Sequence, residues 1–120
     1  MEGAGGASRG TVPPVDAATE RAIDRMFEQL GEAIEVLDHE ELDVELVPGM
    51  LTIDCGDGAR LVLSRQSATG QIWLAEPGGG WHFDLKDGFW RCDKRGVELV
   101  AELERLLSEQ LGMAVKLALH

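Results

Sequence analysis

The chain has 120 residues, enough for one domain with a modest core, and a formal net charge of −11. Residues 1–58 hold 14 acids and 3 bases, whereas residues 59–120 hold 8 of each, so the first half carries the whole net charge. Such a chain presents a negative face that attracts cations or basic protein surfaces and repels nucleic acid and anionic membranes. Two cysteines, Cys55 and Cys92, exclude a disulfide framework and lack the paired spacing of a zinc site. With neither an apolar run of membrane length nor a signal-peptide core, the sequence predicts a cytoplasmic protein.

The N-terminal 15 residues are rich in Gly and Ala and end just after two prolines. We predict a disordered tail over residues 1–15 and one folded domain over residues 16–120. A helix follows the tail, with Asp16 or Thr19 as candidate caps and an end near residues 37–38. Its apolar residues recur at helical spacing, and they are Ile23, Met26, Phe27, Leu30, Ile34 and Leu37.

The same helix carries acids at three- and four-residue steps, and the acids continue past its end. We call this set the acidic row; its members are Glu20, Asp24, Glu28, Glu32, Glu35, Asp38, Glu40, Glu41, Asp43 and Glu45. At about 100° per residue the helical acids and the apolar residues occupy separate arcs, and neighbouring like charges cost stability. A solvated helix face is the ordinary explanation of such a run. The concentration of the whole net charge in this half favours a binding surface instead.

Alternating apolar residues and turn signals predict about six short strands after the helix, near residues 42–46, 50–55, 60–66, 71–75, 81–85 and 89–92. Short hairpin links make their sheet antiparallel. Residues 97–111 predict a second helix, with an apolar stripe of Val97, Val100, Leu103, Leu107 and Leu111 and with Gly112 just past its end. Residues 114–119 should fill the gap between this helix and the sheet. The expected fold is α+β, a two-layer sandwich with both helices on one face of the sheet.

Trp73 is a candidate binding residue. Strand alternation places Ile72 and Leu74 on one face of the sheet and Gln71 and Trp73 on the other. If the aliphatic pair faces the helices, Trp73 is exposed, which is typical of a binding hot spot. The opposite phase would bury it. Trp90 is predicted in the core, and the pattern leaves Trp81 undecided.

Two segments of the sheet resemble the frataxin family, in its bacterial CyaY-type branch. They are Gln71-Ile72-Trp73-Leu74-Ala75 and Gly79-Gly80-Trp81-His82-Phe83-Asp84-Leu85-Lys86, supported by Leu51-Thr52-Ile53, Arg65-Gln66, Trp90 and Cys92-Asp93. The resemblance runs from about residue 21 to residue 117. It implies a frataxin-like fold and an accessory protein of iron–sulfur cluster assembly rather than an enzyme. Ser64 departs from the usual Asn, and Gly31 and Val36 stand where some relatives carry acids.

The resemblance also implies which residues act. Iron, as Fe2+ or Fe3+, would be bound weakly and reversibly by carboxylates of the acidic row, namely Glu28, Glu32, Glu35, Asp38, Glu40, Glu41 and Asp43. The row would also dock on the cysteine desulfurase and regulate it, and the exposed Trp would meet the iron–sulfur scaffold protein. We therefore predict a partner-binding surface of Trp73, Gln71, Arg65 and His82. His39 lies inside the row, but a lone surface histidine is more often no ligand.

Two other functions remain open at this point. One is a metal-independent acidic adaptor that binds a basic protein surface, which the same row would serve equally well. The other is a ferroxidase-type protein that oxidises iron, although the sequence holds no nucleophile motif, phosphate loop or dedicated metal spacing. We expect no nucleic acid or membrane partner, and a monomer, with iron-dependent oligomers as the alternative.

Overall fold

The computed structural model describes residues 17–56 and 58–119. The predicted tail over residues 1–15, the candidate cap Asp16 and the turn residue Asp57 lie outside the described residues. The elements in chain order are α1 (Ala17–Leu37), β1 (Asp43–Val47), β2 (Met50–Asp54), β3 (Arg60–Gln66), β4 (Gln71–Glu76), β5 (Gly79–Lys86), β6 (Phe89–Cys92), β7 (Val97–Glu98) and α2 (Leu99–Leu111). The strands form one antiparallel sheet in sequence order from β1 to β7, and the predicted α+β sandwich is confirmed.

Helix α1 buries the predicted apolar arc and ends where the sequence predicted. Its most buried large side chains are Ile23, Phe27, Leu30 and Ile34. After Leu37 the backbone of Asp38 turns into the left-handed region, at φ 50°, and its N–H bonds to the Glu35 carbonyl at 3.0 Å. Asp is among the few non-glycine residues that tolerate this conformation. Thr19 lies inside the helix, so its prediction as a cap is wrong.

The inner face of the sheet is built by strict alternation of apolar side chains. Cross-strand register aligns Leu51, Leu63, Leu74 and Trp81 in one row across four strands, and all four are buried. This settles the orientation of Trp81, and Trp90 is buried as predicted. Strand β5 begins at Gly79, two residues before the predicted start near residue 81, so a two-residue turn separates it from β4. Both helices cover this face, which places the core between the two layers.

The start of the second helix differs from the prediction. Val97 and Glu98 form the short strand β7 against Cys92 and Arg91, and the helix begins at Leu99. The Glu98 carboxylate caps the helix by accepting the N–H groups of Val100, at 2.9 Å, and Ala101, at 3.3 Å. The predicted apolar stripe therefore wrongly includes Val97, and it omits the buried Leu99 and Leu106. Gly112 ends the helix as predicted, in the left-handed region at φ 68°.

The C-terminal segment joins the core, as the apolar pattern predicted. Val115 and Leu117 are buried, and their N–H groups donate to Ser108 Oγ at 2.9 Å and to Glu104 Oε2 at 2.8 Å. Helix α2 thus holds an extended strap against the sandwich. In the part of the chain that the structure describes, neither helix is long and apolar enough to cross a membrane.

Candidate functional site

The middle of the acidic row borders a groove between α1 and the edge strand β1. Glu28, Glu32 and Glu35 are exposed and line this groove, of about 450 Å³, opposite Val44 and Leu46. Helical spacing stacks the three carboxylates along one side, because residues three and four apart are neighbours on a helix. None of the three forms an ion pair with a base among the described residues. Their negative charges are therefore uncompensated and open to solvent.

A second groove, of about 270 Å³, begins where the first one ends. Glu35, Asp38, His39 and Asp43 line it, so the row turns around the end of α1 and continues on β1. The Nδ1 atom of His39 accepts the N–H of Glu41 at 3.1 Å, so the lone pair of the neutral imidazole is already engaged and the ring proton lies on Nε2. Glu35 belongs to both grooves, which makes the two into one continuous acidic surface.

Glu40 and Glu41 do not line either groove. Glu41 leans towards the β2–β3 connection, where a Cβ on Gly56 would lie 3.4 Å from the Glu41 Cβ and Oε1 atoms. The structure thus gathers five of the seven predicted metal residues, and leaves these two on the outside. Among residues 17–56 and 58–119, no three His, Cys, Asp or Glu side chains converge closely enough to hold a metal ion. A cation bound along the row would therefore take few carboxylate ligands, with water completing its shell.

Arg65 does not lie where the sequence-based prediction placed it. Arg65 aligns across the sheet with the buried Ile72, so its side chain projects from the inner face of the sheet, whereas Trp73 is on the outer face. Its Nη1 atom lies 2.6 Å from Asp24 Oδ1 on α1. Arg65 therefore ties the acidic helix to the sheet. Asp24 is, within the described residues, the one member of the acidic row that is ion-paired.

Trp73 lies on the outer face, as the aliphatic phase predicted, with 37% of its surface exposed. Its ring stacks on His82 of β5 with centroids 4.2 Å apart and planes 7° from parallel. Its Nε1–H donates to Gln71 Oε1 at 2.9 Å, and Gln71 Nε2 donates to Asp84 Oδ1 at 3.1 Å. Three of the four predicted partner-binding residues therefore meet. Asp84 was not among the predicted residues, although its position two residues after His82 marks the same face of the strand.

The network around Trp73 fixes the orientation of its indole before any partner arrives. Stacking holds one ring face, and the hydrogen bond to Gln71 holds the edge. An anchor residue that is already ordered loses less side-chain entropy on binding. The surface is suited to protein docking, because a large amphipathic ring stands beside polar groups whose hydrogen bonds are satisfied.

A family model for the frataxin-like domain matches residues 16–113. The chain belongs to the frataxin family. This match covers both the acidic row and the Trp73 surface, and it confirms the resemblance drawn from residues 71–86.

Solved structures of frataxins superpose well on this frataxin-family chain. The frataxin of Psychromonas ingrahamii, studied as a model of stability within the CyaY protein family, shares 25% identity and a TM-score of 0.78 over 83% of this chain and 94% of that one. Trimeric frataxin of the yeast Saccharomyces cerevisiae shares 30% identity and a TM-score of 0.66 over 83% and 86% of the two chains. The yeast trimer complexed with ferrous iron shares 27% identity and a TM-score of 0.63 over 84% and 91%.

Proposed function

We propose that this frataxin-family chain regulates iron–sulfur cluster assembly as an accessory protein. In this proposal the acidic row binds iron weakly as cargo and docks on the cysteine desulfurase, and the Trp73 surface docks on the scaffold protein. One observation carries the proposal: Glu28, Glu32 and Glu35 stand side by side, exposed and without an ion-pair partner within 4.0 Å in the described chain. Family membership and the ferrous complex of the yeast relative support it.

Carboxylate chemistry explains why iron binding should be weak. Oxygen ligands suit hard cations, and two neighbouring carboxylates can share one ion whose other positions are filled by water. Glu35, which borders both grooves, is placed to take part in more than one such pair. Oxidative turnover would require a defined site that holds iron through a change of oxidation state. Carboxylate pairs that exchange iron with water would instead serve cargo binding and regulation, and the test below decides between these and ferroxidation.

The iron half of the proposal is tested by anaerobic titration with ferrous iron, monitored by amide resonances. We expect the resonances of residues 28–43 to shift or broaden first, while those of Glu104 and Glu109 on α2 stay unchanged as internal controls. If residues 28–43 remain unmoved at millimolar iron, iron binding by the row is excluded and the metal-independent adaptor is left. Oxygen uptake no faster than in buffer would dismiss ferroxidation.

The docking half is tested by charge reversal in the row. Glu35, Asp38 and Glu41 are all exposed, so replacing the three with Lys should abolish desulfurase binding and leave the fold intact. Binding of the unmodified chain should weaken as salt rises, because the attraction is mainly Coulombic. Iron on the same carboxylates removes part of that charge, so iron and desulfurase binding must be coupled reciprocally.

Trp73→Arg is the matched variant on the other surface. It should weaken scaffold binding and spare the desulfurase, because Trp73 lies on the outer sheet face, away from the row. Biolayer interferometry of both variants against both partners separates the two surfaces. If the charge reversal leaves desulfurase affinity unchanged while Trp73→Arg destroys it, the partner surfaces have been assigned to the wrong parts of the molecule.

A further inference from the structure

Three bases near the β6–β7 edge of the sheet form no ion pair within 4.0 Å among the described residues. Most bases of the described chain either form an ion pair within 4.0 Å or, like Arg21 and Arg25, stand among the acids of α1. The exceptions are Arg91, Lys94 and Arg95, all exposed, on β6 and in the turn that follows it. We call these three residues the basic rim. The sheet order places the rim at the edge opposite β1 and the acidic row.

The acids nearest the rim form no ion pair with it among the described residues. Asp84 and Glu98 stand opposite Arg91 on the neighbouring strands, but neither carboxylate lies within 4.0 Å of its guanidinium. Asp93 pairs with Lys86, and this contact raises the pKa of the lysine.

The Arg95 guanidinium lies 3.7 Å from the centre of the Trp81 ring, a cation–π contact that positions the cation without cancelling it. Trp81 is itself held, since its Nε1–H donates to Glu76 Oε2 at 3.2 Å. At least one cation of the rim is therefore preorganised.

The rim and the Trp73 surface border the same depression. A groove of about 260 Å³ is lined by His82 and Asp84 on one side and by Lys94 and Arg95 on the other. His82 is also the ring on which Trp73 stacks. A partner that covers Trp73 and His82 therefore reaches the rim by crossing this groove.

The lining decides which kind of anion suits this place. Asp84 and Asp93 contribute to the groove, so a small polyphosphate seated inside it would meet two carboxylates. Carboxylates spaced along a polypeptide can instead approach Lys94 and Arg95 from outside. We propose that the docking surface around Trp73 extends across the groove to the basic rim, and that the protein bound there presents a carboxylate-bearing segment to Lys94 and Arg95. This rests on the proposed function, in which the Trp73 surface binds the scaffold protein.

The rim gives the molecule two docking surfaces of opposite sign. The acidic row attracts a basic partner and repels an acidic one, and the rim does the reverse. Specificity is a difference of affinities, and like-charge repulsion at the wrong surface increases that difference. Each of the two partner proteins would therefore bind at its own surface and not at the other one.

The test compares two double variants of equal charge. Lys94→Glu with Arg95→Glu alters the rim, whereas Arg60→Glu with Lys116→Glu makes the same change at exposed bases outside it. We expect the rim variant to bind the scaffold protein about tenfold more weakly, with a flatter salt dependence, and the control variant to stay within about threefold of the parent. Both the rim variant and the control variant should still bind the desulfurase. Melting curves of both variants verify that each is folded.

A second measurement identifies the partner's carboxylates directly. Zero-length carbodiimide coupling joins an amine to a carboxylate in contact, so Lys94 should couple to Asp or Glu of the bound scaffold protein. Lys116, whose side chain is 88% exposed and lies 3.9 Å from Glu104 of the same chain, is the control and should not couple to the scaffold protein. Trp73→Ala should remove the Lys94 product by releasing the partner.

The outcomes separate this inference from the function on which it rests. If the parent chain does not bind the scaffold protein, the proposed function fails and the inference fails with it. If the parent binds, Trp73→Ala releases the partner, and the rim variant binds as the parent does, the inference alone is overturned. Amide shifts of Lys94 and Arg95 with inorganic tripolyphosphate, combined with unchanged scaffold affinity in the rim variant, would assign the rim to a phosphate ligand and overturn it as well.

Discussion

The two helices use their acids in opposite ways. On α2, Glu102 pairs with Arg105, Glu109 lies 2.6 Å from the same arginine, and Glu104 accepts the N–H of Leu117. On α1, the exposed acids from Glu28 to Glu35 have no such partners among the described residues. Both helices nevertheless bury a comparable apolar face against the same sheet.

The difference shows which carboxylates stabilise the fold. Those on α2 satisfy backbone donors or neutralise a base, so removing them should lower the free energy of unfolding. Those on α1 repel one another, so removing them should raise it. Because α1 retains acids that repel one another while the acids of α2 are compensated, we expect α1 to be the helix used for binding. Substitutions of the same type on the two helices should therefore change stability with opposite signs.

The largest loss is expected at Glu102, which is 4% exposed. The Glu102 carboxylate pairs with Arg105 and raises the pKa of its guanidinium. Glu102→Gln removes that negative charge and should lower the free energy of unfolding by about 1–3 kcal/mol. Glu109→Gln removes the exposed partner of the same arginine and should cost about 0.5 kcal/mol or less. Urea unfolding of both variants measures the difference. Equal losses would show that burial of Glu102 has no special role.

The next effect concerns the helix cap. Glu98→Ala leaves the N–H groups of Val100 and Ala101 without their acceptor and should cost about 1 kcal/mol. Glu98→Asp keeps a side chain that is favoured at this position and should retain most of the stability. Thermal melts distinguish the two substitutions. If Ala and Asp melt alike, water satisfies the helix start as well as the carboxylate does.

Asp24 is the exception on α1, and it sharpens the comparison. Asp24→Asn breaks the charge pair with the half-buried Arg65 and should lower stability by up to about 1 kcal/mol. Glu28→Gln, one turn later on the helix, is the matched control and should not lower it, because Glu28 is exposed and unpaired in the described chain. Denaturant midpoints at constant salt provide the measurement. A larger loss at Glu28 than at Asp24 would contradict the division of the row.

The smallest expected effect is a gain in stability. Glu32→Gln with Glu35→Gln should raise the melting temperature at low salt, because each like-charge pair that is removed had cost roughly a few tenths of a kcal/mol. Added salt should narrow the gap between the double variant and the parent by screening the repulsion. A variant that melts below the parent at every salt concentration would show that these acids are stabilised by contacts rather than opposed to each other.

Local patterns predicted most of the fold. Alternation at Leu51, Ile53, Ile72 and Leu74 set both the strands and their buried face, and that phase placed Trp73 outside. The 3.6-residue period of the apolar residues predicted helix α1 and its end at Leu37. These elements are predictable because a one-residue change of phase would exchange the buried and exposed faces, so the sequence specifies them strongly.

The predictions that were wrong concern residues whose positions are determined by tertiary contacts. A charged residue on an apolar face violates the alternation rule, so Arg65 was expected outside, and only its pairing with Asp24, 41 residues away in sequence, explains its position. Val97 and Glu98 fit a strand or a helix equally well, and the pairing with Cys92 and Arg91 selects the strand. The grooves that border Glu35 depend on how α1 and β1 pack together, which spacing along one element does not contain.

Strand β1 is one of the two edge strands of the described sheet, so it has no neighbouring strand on one side. Leu46 and Val47 on this strand are each 44% exposed, which makes it an apolar template. Charged residues on an edge strand discourage such pairing, and here Asp43 and Glu45 supply the charge. Asp43→Asn with Glu45→Gln should therefore increase light scattering at high protein concentration. We therefore expect the carboxylates of β1 to oppose pairing between copies of the chain, and acid or a bound cation that neutralises them to favour self-association.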